Sequence, residues 1–563
     1  MRTLLLACAA AAAAAQSVTV TPESFKGSKT VSTVTWTFPE GKDGCFVATF
    51  SVPDKGTPAD INATAIPPQP YPATSPWLAT APLHYLECNM NKSFSPSEPT
   101  ASWNLDLINA RFDLAVGLFA GGLDTPELLA WSNMVTVEDK ASYMHGKLAR
   151  WQQDDQMMVH FQSKSLSGKA AVRYGFNASS LTKVVPATSR SYSRDDLCHP
   201  SPGATWGWHD PGYFHRALLS GLPTDGKTKV FYQYGDDVFG WSPVLSFTAT
   251  LGADPSATVN VILVADKGVS FNDSSSFHWA EPQAWMTARG MEEHAKAGYN
   301  MILHAGDIAY ATGIEVKWEA FETEMDKVYQ TGAPYMVGLG NHEQDWSTEE
   351  AGTYYDSKDS GGECGVPTVH RFPVPSKTSE HDVWYSFNYG PVHYLMWDTE
   401  LDCGPSSAQY KFIKQDLEAV DRKATPWVIV FGHRPIYTGN DRDEHLGQIE
   451  PLLDEHHVTL SLYGHVHNSQ VWCPFERYSN GTKCASKTLN GPYTGVIHSV
   501  IGNAGQTLSK FPNLDDRTIF HAYEHGYSTM TANSTHLTFR YYADVTDTLH
   551  FDFTVTQDYP PSF

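Results

Sequence analysis

Five short motifs hold the reactive side chains of this chain: Asp266-Lys267-Gly268, Gly306-Asp307-Ile308-Ala309-Tyr310, Gly340-Asn341-His342-Glu343, Gly432-His433 and Gly464-His465-Val466-His467. Together they offer carboxylate, phenolate, amide and imidazole donors, a mixture suited to holding two metal ions side by side. Two ions about 3.5–4 Å apart acidify a bridging hydroxide and clamp a phosphoryl group between them, so the set implies metal-activated hydrolysis at phosphorus. Asp307, at a strand end beside Gly306, is the candidate bridging carboxylate. Tyr310, three residues on, is near enough for a turn to aim its phenolate at the same metal, and so hard an anionic donor points to Fe(III). Asn341 offers a neutral carbonyl oxygen, which would leave its metal more divalent in character. His465 and His467 would share one face in a regular strand. Gly464 lets the backbone turn there, so the two imidazoles reach different metals, and His433 completes the ligands of the second.

Each motif follows an apolar run that reads as a buried strand: 259–264, 301–304, 335–339, 427–431 and 458–463. A further strand is expected at 393–397. Helical spacing covers 281–298, and an aromatic-rich helix is expected near 316–330. Buried strands alternating with helices predict an α/β layered domain. Every motif then lies just beyond the C-terminal end of a strand, where the loops of such sheets gather ligands. The tail beyond about 493 returns to strands, at 536–542 and 550–555, and is expected to complete the second sheet of this domain. Upstream, short alternating stretches with frequent turn signals predict two tandem β-sandwiches, over 16–140 and 141–250. Neither holds a constellation of reactive groups, so scaffolding or docking is their expected role. The catalytic part is assigned to 251–475, with 476–563 completing it.

Bulk properties narrow the class. At 563 residues the chain exceeds one core. Sixty-two Asp and Glu against 39 Lys and Arg give a formal charge of −23, which repels nucleic-acid polymers but leaves small phosphate esters as partners, because bound cations can reverse the local field. Residues 1–15 read as a secretory signal: Arg2, a short apolar stretch, then an alanine run. The run is shorter than the roughly 20 apolar residues a membrane span needs, and no membrane anchor is expected elsewhere. Secretion, or delivery to an acidic vacuole-like compartment, follows. Glycosylation sequons at Asn62, Asn91, Asn177, Asn272, Asn480 and Asn533 agree with that route. Cys8 leaves with the signal, and the seven cysteines that remain are an odd number. Cys473 with Cys484 is the expected local disulfide, Cys45 with Cys88 the next, and one thiol stays unpaired.

The ordered set Asp-x-Gly, Gly-Asp-x-x-Tyr, Gly-Asn-His-Glu, Gly-His and Gly-His-x-His resembles the purple acid phosphatases of the calcineurin-like metallophosphoesterase superfamily. The segments Gly207-Trp208-His209-Asp210-Pro211-Gly212-Tyr213 and Asp359-Ser360-Gly361-Gly362-Glu363-Cys364-Gly365-Val366-Pro367 resemble the large plant-type members. The resemblance implies Fn3-like β-sandwich domains followed by a four-layer α/β metallophosphoesterase domain. It implies a secreted acid phosphatase acting on phosphate monoesters, with a homodimer allowed; some relatives of that subgroup cleave nucleotide pyrophosphates and phosphodiesters. Asp266, Asp307, Tyr310 and His467 would hold Fe(III). Asp307, Asn341, His433 and His465 would hold a divalent Zn, Mn or Fe, and His342 would hydrogen-bond the phosphoryl group. Two departures stand out. Lys267 puts a bulky cation inside the first motif, where it is expected to point to solvent. The leaving-group acid is also displaced, since His445 is the only imidazole in the stretch after His433.

Overall fold

The computed structural model describes residues 16–61, 81–90, 100–123, 125–198, 207–277, 281–347, 352–376, 383–478, 481–511, 513–514, 516–544 and 547–561. The signal sequence and the sequons at Asn62, Asn91 and Asn480 lie outside them. The chain divides into two compact units, Met1–Lys140 with Asn272–His278, and Ala141–Phe271 with Trp279–Phe563.

Among its described residues the first unit is built mainly of β-strands. One sheet is built on Lys29–Thr37, paired with Ser17–Thr21 and Thr100–Ile108; another holds His84–Glu87, Phe46–Ser51, Leu114–Ala120 and Glu127–Trp131 in that order. Alternation fixes the inward face of these strands. Phe46, Phe50 and Phe119 form the apolar centre with Trp131 against them. The disulfide Cys45–Cys88 clips the second sheet.

The second unit begins with another sandwich. Met144–Arg150, Met157–Ser163, Tyr213–Leu219 and Thr188–Arg190 form one sheet, and Ala171–Gly175 with Lys229–Asp236 and their neighbours form the other. Val159, Phe161, Val172, Tyr232 and Phe247 fill its interior.

Two seven-stranded sheets follow. Tyr335–Gly338 (β3), Ile302–Ala305 (β2) and Val259–Val264 (β1) run parallel in the first. β1 then pairs antiparallel with Gly526–Ala532, and the sheet continues through His536–Ala543 and Thr548–Thr556. The second sheet places Trp427–Phe431 (β4) and Leu460–Tyr463 (β5) in parallel at its centre, flanked by Val392–Met396 and Ile497–Ile501. The runs that form β1 to β5 are apolar almost throughout, as strands covered on both faces must be. Leu263, Met336, Met396, Phe431, Leu462 and Phe539 belong to one core shared by the sheets. On the far side of the second sheet, Val428 and Val430 pack with Ile413 and Leu417 of helix Ala408–Ala419. Helices Ala284–Lys296 (α1) and Glu315–Tyr329 (α2) connect the strands of the first sheet, giving the four-layer α/β fold.

The tail departs from expectation in one respect. It supplies strands to both sheets, Ile497–Ile501 and Thr518–Ala522 to one and the three strands from Gly526 onward to the other. Strand patterning gives no hint of which sheet a strand will join: Ile497–Ile501 finds Leu460–Tyr463 nearby, whereas Gly526–Ala532 finds Val259–Val264 far back in the chain. A third disulfide, Cys198–Cys364, joins the expected Cys45–Cys88 and Cys473–Cys484, and Cys403 is the free, buried thiol.

Candidate metal centre

β1 to β5 end side by side, and each delivers one motif. Asp266 follows β1, Asp307 follows β2, Asn341 begins the short helix Asn341–Gln344 after β3, His433 follows β4 and His465 follows β5. The Tyr310 hydroxyl donates to Asp266 Oδ1 at 3.1 Å and lies 2.9 Å from His467 Nε2. Asn341 Oδ1 lies 3.0 Å from His433 Nε2 and 2.9 Å from His465 Nδ1. Asp307 Oδ1 is 3.3 Å from His433 Nε2, and Asp266 Oδ1 is 3.4 Å from His467 Nε2. Two groups of donor atoms result, Asp266–Asp307–His467 and Asp307–His433–His465, and Asp307 belongs to both.

The backbone is forced to make this cluster. Asp266 (φ 57°), Asp307 (49°), Tyr310 (48°) and His465 (67°) all adopt the left-handed conformation that side-chain-bearing residues avoid. Each such residue costs on the order of 1–3 kcal/mol, tolerated where the surroundings over-determine it. Two glycines permit the approach. A Cβ on Gly340 would lie 2.2 Å from Asp307 Oδ1, and one on Gly464 would lie 2.4 Å from Asp266 Oδ2.

Charge is unevenly settled here. Burial would raise the Asp307 carboxyl, but His433, His342 and His465 outweigh it and hold it well below the usual carboxylate range. His433 is raised to about 10 by Asp307 and Asp266 against its burial. Burial, then Asp266 and Asp307, push the Tyr310 phenol far above its ordinary value, so only a highly charged cation would draw out the phenolate. Asp307 Oδ2 is buried with no hydrogen-bond partner, a costly state for a carboxylate oxygen unless a cation takes it up. That orphaned oxygen, amid hard oxygen and imidazole donors, fits a pair of ions of the iron and zinc type.

Several supporting residues were not singled out by the sequence. The Glu343 carboxylate accepts from the backbone N–H groups of Asp307 (2.8 Å), Ile308 (2.8 Å) and Gly340 (3.0 Å), clamping two motif loops together. Asn341 Nδ2 donates to Asp359 Oδ2 at 2.9 Å, and His342 Nδ1 lies 3.1 Å from the Asp359 carbonyl. Arg434 is bound by Glu400 (2.6 Å) and Asp345 (3.0 Å) and lies 3.0 Å from His465 Nε2. Membership of a motif was a usable signal for Glu343. Asp359 lay within a segment read only for its resemblance, and adjacency to His433 was the one clue to Arg434.

The two departures resolve differently from expectation. Lys267 does not reach solvent: its side chain is fully buried, its ammonium ion-pairs with Glu324 of α2 and lies over the Phe321 ring. The partner stands 57 residues away, so no local pattern announces it. His342 sits beside the cluster, with Nε2 3.9 Å from Asp307 Oδ2. His445 does not join it. Its ring stacks on Tyr354 at 3.4 Å, Nε2 accepts from the Cys403 backbone N–H at 3.3 Å, and Nδ1 lies 3.1 Å from the Gln448 amide. The cavity flanking His465, of about 300 Å³, is lined instead by Arg434, Pro435, Thr438, Asp441, Arg442 and Asp443.

Comparison with known proteins places these features in a lineage. Residues 260–469 match the calcineurin-like phosphoesterase family, 17–139 the Fn3-like domain of purple acid phosphatase, 144–249 its N-terminal domain, and 495–552 the iron/zinc purple acid phosphatase-like C-terminal family. A purple acid phosphatase of Arabidopsis thaliana, number 27 and described as probable inactive, is 31% identical over 92% of this chain and 86% of its own length. The chain belongs to the purple acid phosphatase family. The solved structure of purple acid phosphatase PPD1 from yellow lupin (Lupinus luteus) seeds superposes with a TM-score of 0.89 at 28% identity, covering 96% of each chain. A nucleotide pyrophosphatase/phosphodiesterase of Hordeum vulgare is 31% identical over 57% of this chain and 89% of its own. A phosphoesterase fold is thus the family's common ground, while the activities named for its members diverge.

Proposed function

We propose that this purple acid phosphatase is a secreted, metal-dependent hydrolase of small phosphate esters, with Asp266, Asp307, Tyr310 and His467 holding Fe(III) and Asp307, Asn341, His433 and His465 holding Zn, Mn or Fe(II). The observation that carries the reading is Asp307, shared by both donor groups, whose buried Oδ2 takes part in no hydrogen bond. The two ions, when bound, would supply an acidified water and neutralise charge on the phosphoryl oxygens. The protein's part is positional. Asp307 joins the two sets of ligands, Glu343 holds the loops that carry Asp307 and Gly340, and His342 sits on the same side to hydrogen-bond a phosphoryl oxygen.

Proton delivery to the leaving group is the weak link. With Nε2 accepting from the Cys403 amide and the ring stacked on Tyr354, His445 is committed elsewhere, so this reading gives it no acid role. A general acid contributes roughly 10²–10⁴-fold. Esters with good leaving groups should therefore turn over and alkyl monoesters poorly. That pattern accords with the Arabidopsis relative described as probable inactive, and with the barley relative whose name specifies pyrophosphate and diester cleavage. The formal charge of −23 argues against polynucleotide substrates. Metal analysis with a visible spectrum of the secreted protein, alongside turnover of an aryl phosphate, an alkyl phosphate and a dinucleotide pyrophosphate, tests the proposal. Two ions, a purple band and aryl turnover are expected; a protein lacking iron and hydrolysing none of the three would overturn it.

A further inference from the structure

We propose that Asp359 is a positioning residue that selects which end of the Asn341 amide faces the cluster, and so determines whether the divalent ion is held; this rests on the dinuclear reading above. An amide is nearly symmetrical in shape, but only its oxygen can serve as a ligand, while its NH₂ end repels a cation. A half-turn about the terminal torsion exchanges the two at little steric cost. In the structure the choice is made by Asp359. Its Oδ2 accepts from Asn341 Nδ2 at 2.9 Å, an arrangement open only when Asn341 Oδ1 is turned toward His433 Nε2 (3.0 Å) and His465 Nδ1 (2.9 Å).

Asp359 is itself held. The Ser357 hydroxyl lies 2.9 Å from Asp359 Oδ2 and 3.0 Å from Asp345 Oδ2, and the Ser360 amide donates to the Asp345 carbonyl at 3.0 Å. Farther along the loop, the disulfide Cys198–Cys364 ties it to the preceding sandwich, and Glu363 accepts from the Gly313 amide (3.0 Å) and the Trp318 indole (3.2 Å). The Gly365 amide donates to the Glu343 carbonyl at 2.8 Å, joining the loop to the residue that clamps the Asp307 turn. Through its backbone carbonyl, 3.1 Å from His342 Nδ1, the same residue also fixes the His342 ring, whose Nε2 faces Asp307 Oδ2 at 3.9 Å. One loop residue therefore sets the orientation of two consecutive motif side chains. Partners of this kind are worth about 10–100-fold in metal affinity.

The test is a cycle read by metal stoichiometry and affinity, measured by mass spectrometry after dialysis against graded chelator, with circular dichroism as the fold control. Asp359→Ala is expected to keep one ion and bind the other about 10–100-fold more weakly. Asp359→Asn, which can still present an oxygen to Asn341, is expected to keep both. Asn341→Asp has two equivalent oxygens and needs no orienting partner, so Asp359→Ala in that background should cost no further affinity. If Asp359→Ala fails to fold, Asp359→Glu, which moves the acceptor by one methylene, is read in its place. Wild-type affinity for both ions in the Ala or Glu variant overturns the inference, as does an equal loss in the Asn341→Asp background. A wild-type protein that binds no ions overturns the dinuclear reading itself, which separates the two failures.

Discussion

Two neighbouring regions of the catalytic domain make opposite use of similar side chains. Around Asp307, residues from five strand ends converge, four of them on left-handed backbone, and a buried carboxylate oxygen is left without a hydrogen-bond partner. In the stretch from Arg434 to His445 the cationic and imidazole side chains already have partners. Arg434 is bound by Glu400 and Asp345 and lies over Tyr355, Arg442 is bound by Glu450 and the Gly447 carbonyl, and His445 is held between Tyr354 and the Cys403 amide. Asp307, shared by both donor groups, marks the first region as a place where a cation would bind. The paired cations of the second mark it as its wall. Charged and aromatic residues beside a metal cluster are thus weak evidence of catalysis until their partners are known.

The sharpest way to break this contrast is Asp307→Ala. Both donor groups lose their shared member, so metal content is expected to fall from two ions to fewer than one and turnover to the uncatalysed background; retained ions in mass spectrometry would move the centre elsewhere. Next in size is Arg434→Met. It leaves the buried carboxylates of Glu400 and Asp345 facing one another without their cation, which costs about 3–5 kcal/mol in buried pairs, to be read as a lowered denaturation midpoint. If the wall reading holds, ion content in that variant changes less than stability does. The smallest effect belongs to His445→Ala. Loss of its stacking on Tyr354 is expected to cost about 1 kcal/mol, with turnover of an aryl phosphate changed less than threefold, whereas an acid role would show as a roughly 10²–10⁴-fold loss.

The sequence made the ligand-bearing strands legible because burial on both faces leaves a continuous apolar run. Val259–Val264 and Trp427–Phe431 carry the limits that their apolar stretches mark. The ligand types could be read because donor chemistry is a local property of each motif. What could not be read was partnership at a distance. Lys267 finds Glu324, Asn341 finds Asp359 and Cys198 finds Cys364 across separations of 57, 18 and 166 residues. None of these is implied by periodicity, since each depends on how segments apart in sequence fold back on one another. His445 shows the same limit from the other side: its residue type suited an acid, but its surroundings bind both ring nitrogens.

The pairing of β1 with Gly526–Ala532 bears on when the centre can come into being. The strand that presents Asp266 is bordered on one side by a strand made more than 260 residues later. As the chain emerges during synthesis, all five motifs are present well before that border exists, yet the sheet carrying three of them remains open-edged. Contacts of such long sequence separation form late and slowly. A chain cut short before Gly526 would therefore carry every proposed ligand and still lack the strand that borders β1.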